Sequence, residues 1–309
     1  ATKGWIPLDD DVVADVPSPP PTQKAIFGYG TTGSVTAISN LVSSSGVVAT
    51  DTTGVGTARS NLAAATYGFD KAIFAFGDTG SKVSMSNLVS SSGVVATDTT
   101  GVGTARASLA AAGYGLDKAI FAYGHDGSTY VSLSNLVSNS GVVASDVTGV
   151  GSARAYLGAA GFGSTGQAIF AFGYTGSNTA VSNLVTNVGV VGTDVSGVGS
   201  ARRQVAAAGY GLDKAIFAYG LTSGVVSMSN LVNSSGVVSA DVSGVGTARE
   251  CLGGAAGYGG DKAIFGYGYS GGQLSITNLV NSSGVVSADV TGVGTARSGT
   301  AAAGYSNSA

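Results

Sequence analysis

The residues able to move protons or hold a ligand are few in this chain. Its 309 residues include 14 Lys and Arg, 17 Asp and Glu, one His (His125) and one Cys (Cys251). A single His gives Cys251 no second imidazole partner, and nucleophilic catalysis needs a base within hydrogen-bond reach. Cys251 stands two residues beyond Arg249 and reads as a small buried filler. His-pair or Cys-rich spacing for zinc is impossible. The turns at Asp78 and Asp126 fall short of a twelve-position calcium loop. The recurring Gly-Val-Gly lacks the full dinucleotide glycine spacing and a following helix. Asp residues recur along the chain, so paired carboxylates stay chemically open, but their recurrence has a structural explanation. The expectation is no enzyme, no cofactor and no metal.

Most of the charges belong to a repeat. A Lys-Ala-Ile-Phe string begins at Lys24, Lys71, Lys118, Gln167 (with Gln for Lys), Lys214 and Lys262, at steps of 47, 47, 49, 47 and 48 residues. Each unit carries an Asn: Asn40, Asn87, Asn135, Asn183, Asn230 and Asn278. Eleven residues later comes an Asp: Asp51, Asp98, Asp146, Asp194, Asp241 and Asp289. Eight further on stands an Arg: Arg59, Arg106, Arg154, Arg202, Arg249 and Arg297. Two roles suit these residues. A bidentate Arg–Asp bridge ties neighbouring units together, or each Asp caps amides of its own turn while each Arg bonds carbonyls. Both are structural. The adjacent pairs Asp70–Lys71, Asp117–Lys118, Asp213–Lys214 and Asp261–Lys262 read as turn chemistry with a solvent-reaching Lys. No direct bridge is expected, because neighbours in a strand point to opposite sides.

The elements that position these residues are short strands. Apolar runs last four to seven residues, Gly supplies 51 residues, and no 3.6-residue period persists, which argues against helix. Each unit reads as four strands: an Ala-rich inner strand, the Lys-Ala-Ile-Phe strand, the Ser-Asn-Leu-Val strand and an outer Gly-Val-Val strand. Four strands in about 47 residues, six times over, has the dimension of a propeller blade. The expected fold is therefore all-β, a six-bladed β-propeller of four-stranded blades, with units 24–70, 71–117, 118–166, 167–213, 214–261 and 262–309. The repeats open on a second strand and end on an inner-type strand near 297–305. The C-terminal strand is thus expected to join the three N-terminal ones and hide two sheet edges. A stacked solenoid is the rival arrangement, but it needs distinct caps.

The order Arg-x-x-apolar-Ala-Ala, turn, Lys-Ala-Ile-Phe-Gly-Tyr-Gly resembles kelch-type propeller repeats, with Arg59 before Leu62–Ala65 and then Lys71–Gly77, and likewise round the chain. The resemblance covers about residues 24–309 and implies a propeller in which an Arg precedes each inner strand. More distantly, the glycine-rich repeats are similar to those of phage virion and bacterial surface proteins. That likeness implies a virion or extracellular-surface location.

Function is sought where the copies differ. The turns after each second strand are expected to share one face and to display Asp78, Lys82, His125, Asp126, Tyr130, Tyr174, Asn178 and Tyr269 as candidate ligand-binding residues. Aromatic platforms beside polar groups suit sugars or peptides, although drift in exposed turns gives the same variation. Residues 1–23 stand outside the repeat and hold all five Pro and the only Trp. Pro17–Pro21 reads as a stiff spacer, and Trp5, Ile6 and Leu8 as an assembly anchor. The opening Ala1-Thr2-Lys3, with no initiator Met, is that expected of a processed or trimmed chain. Net charge is −3 with no Lys/Arg cluster, so no nucleic-acid partner is expected. No apolar run reaches 18 residues, so no membrane helix is expected. The leading expectation is a structural protein, a building block or decoration of a virion or surface assembly tethered by its arm. The alternative is a carbohydrate-binding adhesin using the variable-turn face.

Overall fold

Apolar strands interrupted every few residues by glycine turns can bury themselves only by pairing and stacking as small sheets. A computed structural model describes residues 22–250 and 254–309. Trp5, Ile6, Leu8 and Cys251 lie outside the described residues. The described chain is all-β, with strands β1 (Lys24–Gly28), β2 (Ser39–Val42), β3 (Ala63–Tyr67), β4 (Lys71–Asp78), β5 (Lys82–Val89) and β6 (Ala110–Tyr114) in its first part. Next come β7 (Lys118–Ala122), β8 (Ser134–Val137), β9 (Gly158–Phe162), β10 (Gln167–Ala171), β11 (Ser182–Val185) and β12 (Ala206–Tyr210). The last are β13 (Lys214–Ala218), β14 (Ser229–Val232), β15 (Ala255–Tyr258), β16 (Lys262–Tyr269), β17 (Gln273–Val280) and β18 (Ala301–Tyr305).

They form six three-stranded antiparallel sheets. Five are consecutive in sequence, from β3-β4-β5 to β15-β16-β17. The remaining one is β18-β1-β2, which joins the two ends of the repeat region. Its register places Gly304 opposite Ala25, Ala303 opposite Ile26 and Ala302 opposite Phe27. The expected pairing of the C-terminal inner strand with the segment starting at Lys24 is therefore present.

The expected fourth strand is not a strand. Its segment meets the third through isolated bridges and not a continuous ladder, as in Val42↔Val48 and Ser39↔Thr52. The cause is the repeated Asn. Asn40 is buried and its side-chain amide donates to the Ala49 carbonyl at 3.0 Å and to Asp51 Oδ1 at 2.9 Å. The side chain thus occupies a place that the main-chain ladder would otherwise fill, and all six units repeat it.

The core lies between sheets. The Ala-Ile-Phe of every middle strand is fully buried, so neither face is wet. Each apolar cluster spans two neighbouring sheets. Inner strands touch in the order β18, β3, β6, β9, β12, β15 and back to β18. Aromatic pairs follow the same cycle: Tyr29–Phe74, Phe76–Phe121, Tyr123–Phe170, Phe172–Phe217, Tyr219–Phe265 and Tyr267–Phe27, at 5.2–5.5 Å between ring centres. Edge contacts of this kind add about 0.5–1.5 kcal/mol each beyond burial.

Main-chain bonds repeat the cycle. At the inner hairpins, Ser306, Gly68, Gly115, Gly163, Gly211 and Gly259 donate in turn to the carbonyls of Asp70, Asp117, Gly166, Asp213, Asp261 and Gln23. The series returns to the first sheet. Between the inner strands, alanines and glycines leave a constriction of only about 30 Å³, lined from all six. On the hairpin side lies a wider cavity of about 840 Å³.

Candidate functional site

The repeated Arg makes several contacts at once in each unit. All six are fully buried. Arg59 donates from Nε to the Phe76 carbonyl at 2.8 Å, from Nη1 to the Thr57 carbonyl at 3.1 Å, and from Nη2 to Asn87 Oδ1 at 2.7 Å. Its guanidinium lies 4.3 Å from the centre of the Tyr29 ring in the preceding sheet. The same stacking joins Arg106 to Phe76, Arg154 to Tyr123, Arg202 to Phe172, Arg249 to Tyr219 and Arg297 to Tyr267. The planar guanidinium suits both the fork of acceptors and the aromatic face. Burial pulls Arg106 and Arg202 down to about 10, against the opposing pull of Asp146 and Asp241, so both stay charged at neutral pH.

The Asp partners differ from the expectation. Asp and Arg eight residues apart do not pair. Asp51 meets Arg297, and Asp98 meets Arg59, with Nη1 to Oδ1 distances of 3.9 and 4.0 Å. These groups are on one sheet unit, so the Arg–Asp contact is not the tie between neighbours. The aromatic stack is, together with bonds such as Gly30 N–H to the Arg59 carbonyl at 3.0 Å. Nor does each Asp cap its own turn: Asp98 accepts from the amide and hydroxyl of Thr57, at 3.0 and 2.6 Å. Burial works to raise the Asp98 carboxyl, but the Thr57 hydroxyl, the Asn87 amide and the Thr57 N–H outweigh it and hold the group below its usual range. Asp51, Asp146, Asp194, Asp241 and Asp289 are held down in the same way.

The Asp–Lys neighbours are also corrected. Lys71 Nζ lies 2.7 Å from Asp70 Oδ1, and Lys118, Lys214 and Lys262 bridge Asp117, Asp213 and Asp261 at 2.7–3.1 Å. The alternation rule does not reach them, because each Asp stands in the turn rather than in the strand. The lysines are still some 42–43% exposed, so each bridge is worth little.

With the repeated charges engaged, those that break the repeat stand out: Asp78, Lys82, Asp126, Arg203 and Glu250. All lie at the same end of the sheets. There the residue after each repeated Arg bridges the variable turn, as in Ser60↔Asp78, Ala107↔His125, Ala155↔Tyr174, Arg203↔Leu221 and Glu250↔Tyr269. No family model and no curated protein matches the chain.

The structure brings four of the eight candidate residues together. His125 and Tyr130 meet edge to face at 5.3 Å, and Tyr130 meets Tyr174 at 5.9 Å with the rings at 85°. Asn178 donates to the Leu221 and Thr222 carbonyls at 3.1 and 3.2 Å, tying the fourth sheet's turn to the fifth's. Asp78 and Lys82 pair with each other at 2.5 Å in the second sheet's hairpin, and Lys82 runs beside Gly127 of the next turn. Asp126 folds onto its own turn, where the N–H groups of Thr129 and Ser128 hold its carboxyl low. Tyr269 is the most exposed of the aromatic candidates and stands beside Glu250.

Sequence reasoning missed Arg203, Tyr156 and Glu250. Arg203 lies 4.8 Å over the Tyr174 ring and donates to Asn178 Oδ1 at 3.3 Å. Burial pushes the Tyr130 hydroxyl up, with Tyr156 and Tyr174 adding to it and Arg203 opposing. Burial also raises the Glu250 carboxyl, against the Arg203 charge. The signal for two of these was present. The position after the repeated Arg reads Ser60, Ala107, Ala155, Arg203, Glu250 and Ser298, so the copies disagree there as much as in the turns.

Proposed function

We propose that the six sheets are the blades of a kelch-like β-propeller, and that this ring serves as a rigid, non-catalytic building block of a larger surface or virion assembly. The cyclic order of inner-strand contacts, aromatic pairs and hairpin bonds supports the propeller reading. The observation that carries the structural role is the fate of the repeated charges. Six buried Arg bond main-chain carbonyls and stack on an aromatic ring of the neighbouring sheet, and four of them also bond the repeated Asn. A molecule that commits its scarce charges to rigidity in every unit is suited to bearing load and repeating geometry.

The N-terminal arm is the tether in this reading, and it leads into the ring at Thr22, whose carbonyl accepts from Gly260 N–H at 3.1 Å. Electron microscopy of the native source material, labelled with an antibody against the chain, tests the role. Label at regular intervals on a larger particle is the expected result. Label confined to free single discs overturns it. Removing residues 1–21 should abolish incorporation, and full occupancy without them assigns the tether elsewhere.

A further inference from the structure

The cluster on the variable-turn face breaks the symmetry of the ring, and nothing in the building-block role needs it. Its parts come from several sheets: His125 and Tyr130 from the third, Tyr174 and Asn178 from the fourth, Arg203 from the fifth, Glu250 from the sixth. We propose that the corner made by Tyr130, Tyr174, Asn178 and Arg203, extended by Glu250, binds a neutral oligosaccharide.

Two tyrosine rings held at 85° to one another form the walls of a corner. A pyranose offers such a corner what it can use: C–H faces for the aromatic rings and a fringe of hydroxyls that both donate and accept. The polar groups at the edge are of the matching planar kind. Arg203 is held in place by the Tyr174 ring and by Asn178 Oδ1, so its fork is oriented before any ligand arrives. Asn178 is itself fixed by two main-chain carbonyls of the next sheet. Preorganisation of this sort reduces the ordering cost of binding. Glu250 supplies an acceptor from the position in the next sheet that is equivalent to Arg203's. One cation offset by Glu250 does not favour a polyanion, which selects neutral sugars over acidic ones.

An equivalent constellation is absent from the other described turns. The first and second sheets place Thr31 and Asp78 where the third and fourth have His125 and Tyr174, and Ser60 and Ala107 stand where Arg203 and Glu250 do. The site is therefore single and one-sided on a six-fold frame.

His125 is the only histidine, and its ring packs on Tyr130, so its imidazole proton resonance is a private reporter of the corner. The intact chain is screened on an array of neutral cello-, malto-, xylo- and manno-oligosaccharides, with acidic glycans and a peptide-display library alongside. Hits are then titrated while the His125 resonance is followed. Binding of a neutral oligosaccharide with a saturable His125 shift is expected. Arg203→Gln and Tyr174→Ala should each weaken it at least tenfold, while Leu212→Ser at the opposite end leaves it unchanged. The proposal falls if no neutral oligosaccharide moves the resonance, if only acidic glycans or peptides bind, or if both variants bind as the parent does. Should a variant lose its cooperative melt, the titration of the unaltered chain decides.

Discussion

At the scale of single residues, the buried arginine is the most consequential group. Each one satisfies two main-chain carbonyls and, in four units, an asparagine oxygen. Arg106→Ala removes all of these and leaves the Tyr123 carbonyl and Asn135 Oδ1 buried without a donor. The expected loss is about 3–5 kcal/mol, read as a shift in the denaturant midpoint at unchanged slope. Arg106→Lys should recover little, because an ammonium has neither the fork nor the flat face for Phe76. The paired Asp groups make a second test. Their folded values lie below the ordinary carboxylate value of about 3.9, so their contribution is complete above that pH and disappears as pH falls through the folded values. Stability measured by urea unfolding should hold level down to about pH 4 and then drop steeply, since six copies titrate together. Asp146→Asn should lessen that slope.

At the scale of elements, each middle strand ends in or, in β4 and β16, passes through an unusual step. Six aromatic residues, Tyr29, Phe76, Tyr123, Phe172, Tyr219 and Tyr267, take φ of 61–65°, each followed by a glycine at φ of 107–116°. Left-handed backbone costs an L-residue about 1–2 kcal/mol. Here the aromatic ring is clamped beneath the next sheet's guanidinium, and in four of the six its hydroxyl donates to a Gly-Val-Gly carbonyl. The glycine after it has no such freedom. A Cβ on Gly124 would stand 2.8 Å from the Ala107 carbonyl oxygen. Gly124→Ala should therefore cost about 1–3 kcal/mol, detectable as a lower melting temperature. The inner hairpins behave in the opposite way. Leu212 is 74% exposed and holds φ of 73°, where the last hairpin has Gly260. Leu212→Gly should leave stability unchanged or raise it by up to ~1 kcal/mol, and a clear loss would show that this leucine packs against something.

At the scale of the whole molecule, integrity depends on one junction made from both ends of the repeat region. Deleting 298–309 removes β18, opens the edge of β1 and exposes the apolar face that Ala301 and Ala303 cover. Unpaired edges of this kind invite pairing between chains. The truncated protein should lose its single cooperative transition and appear as dimers and larger species by light scattering. A monomer with the parental melt would show that the end-to-end pairing contributes nothing. Deleting the arm should instead leave the melt unaltered, because the junction is downstream of it.

Much of this fold is legible in the sequence. Strands are forced by short apolar runs and glycine turns, and constant spacing from Asn40 to Asp51 and its copies already marked a structural network. The end-to-end strand followed from counting which element began and which finished the repeat. Pairing was not legible. An Asp eight residues from an Arg in sequence is joined instead to an Arg from the other end of its own sheet unit, because the inner strand's entry and the outer segment meet in space only after the sheet forms. Nor could sequence show that an asparagine side chain would take the place of a fourth strand, or that a turn residue such as Asp70 could reach the lysine beside it. The binding corner is the clearest case. Tyr130, Tyr174, Arg203 and Glu250 span more than a hundred residues, and only stacking of four sheets at one end makes them neighbours. Local backbone preference is written along the chain, whereas contacts between units depend on the rotation from each sheet to the next, and that is set by packing.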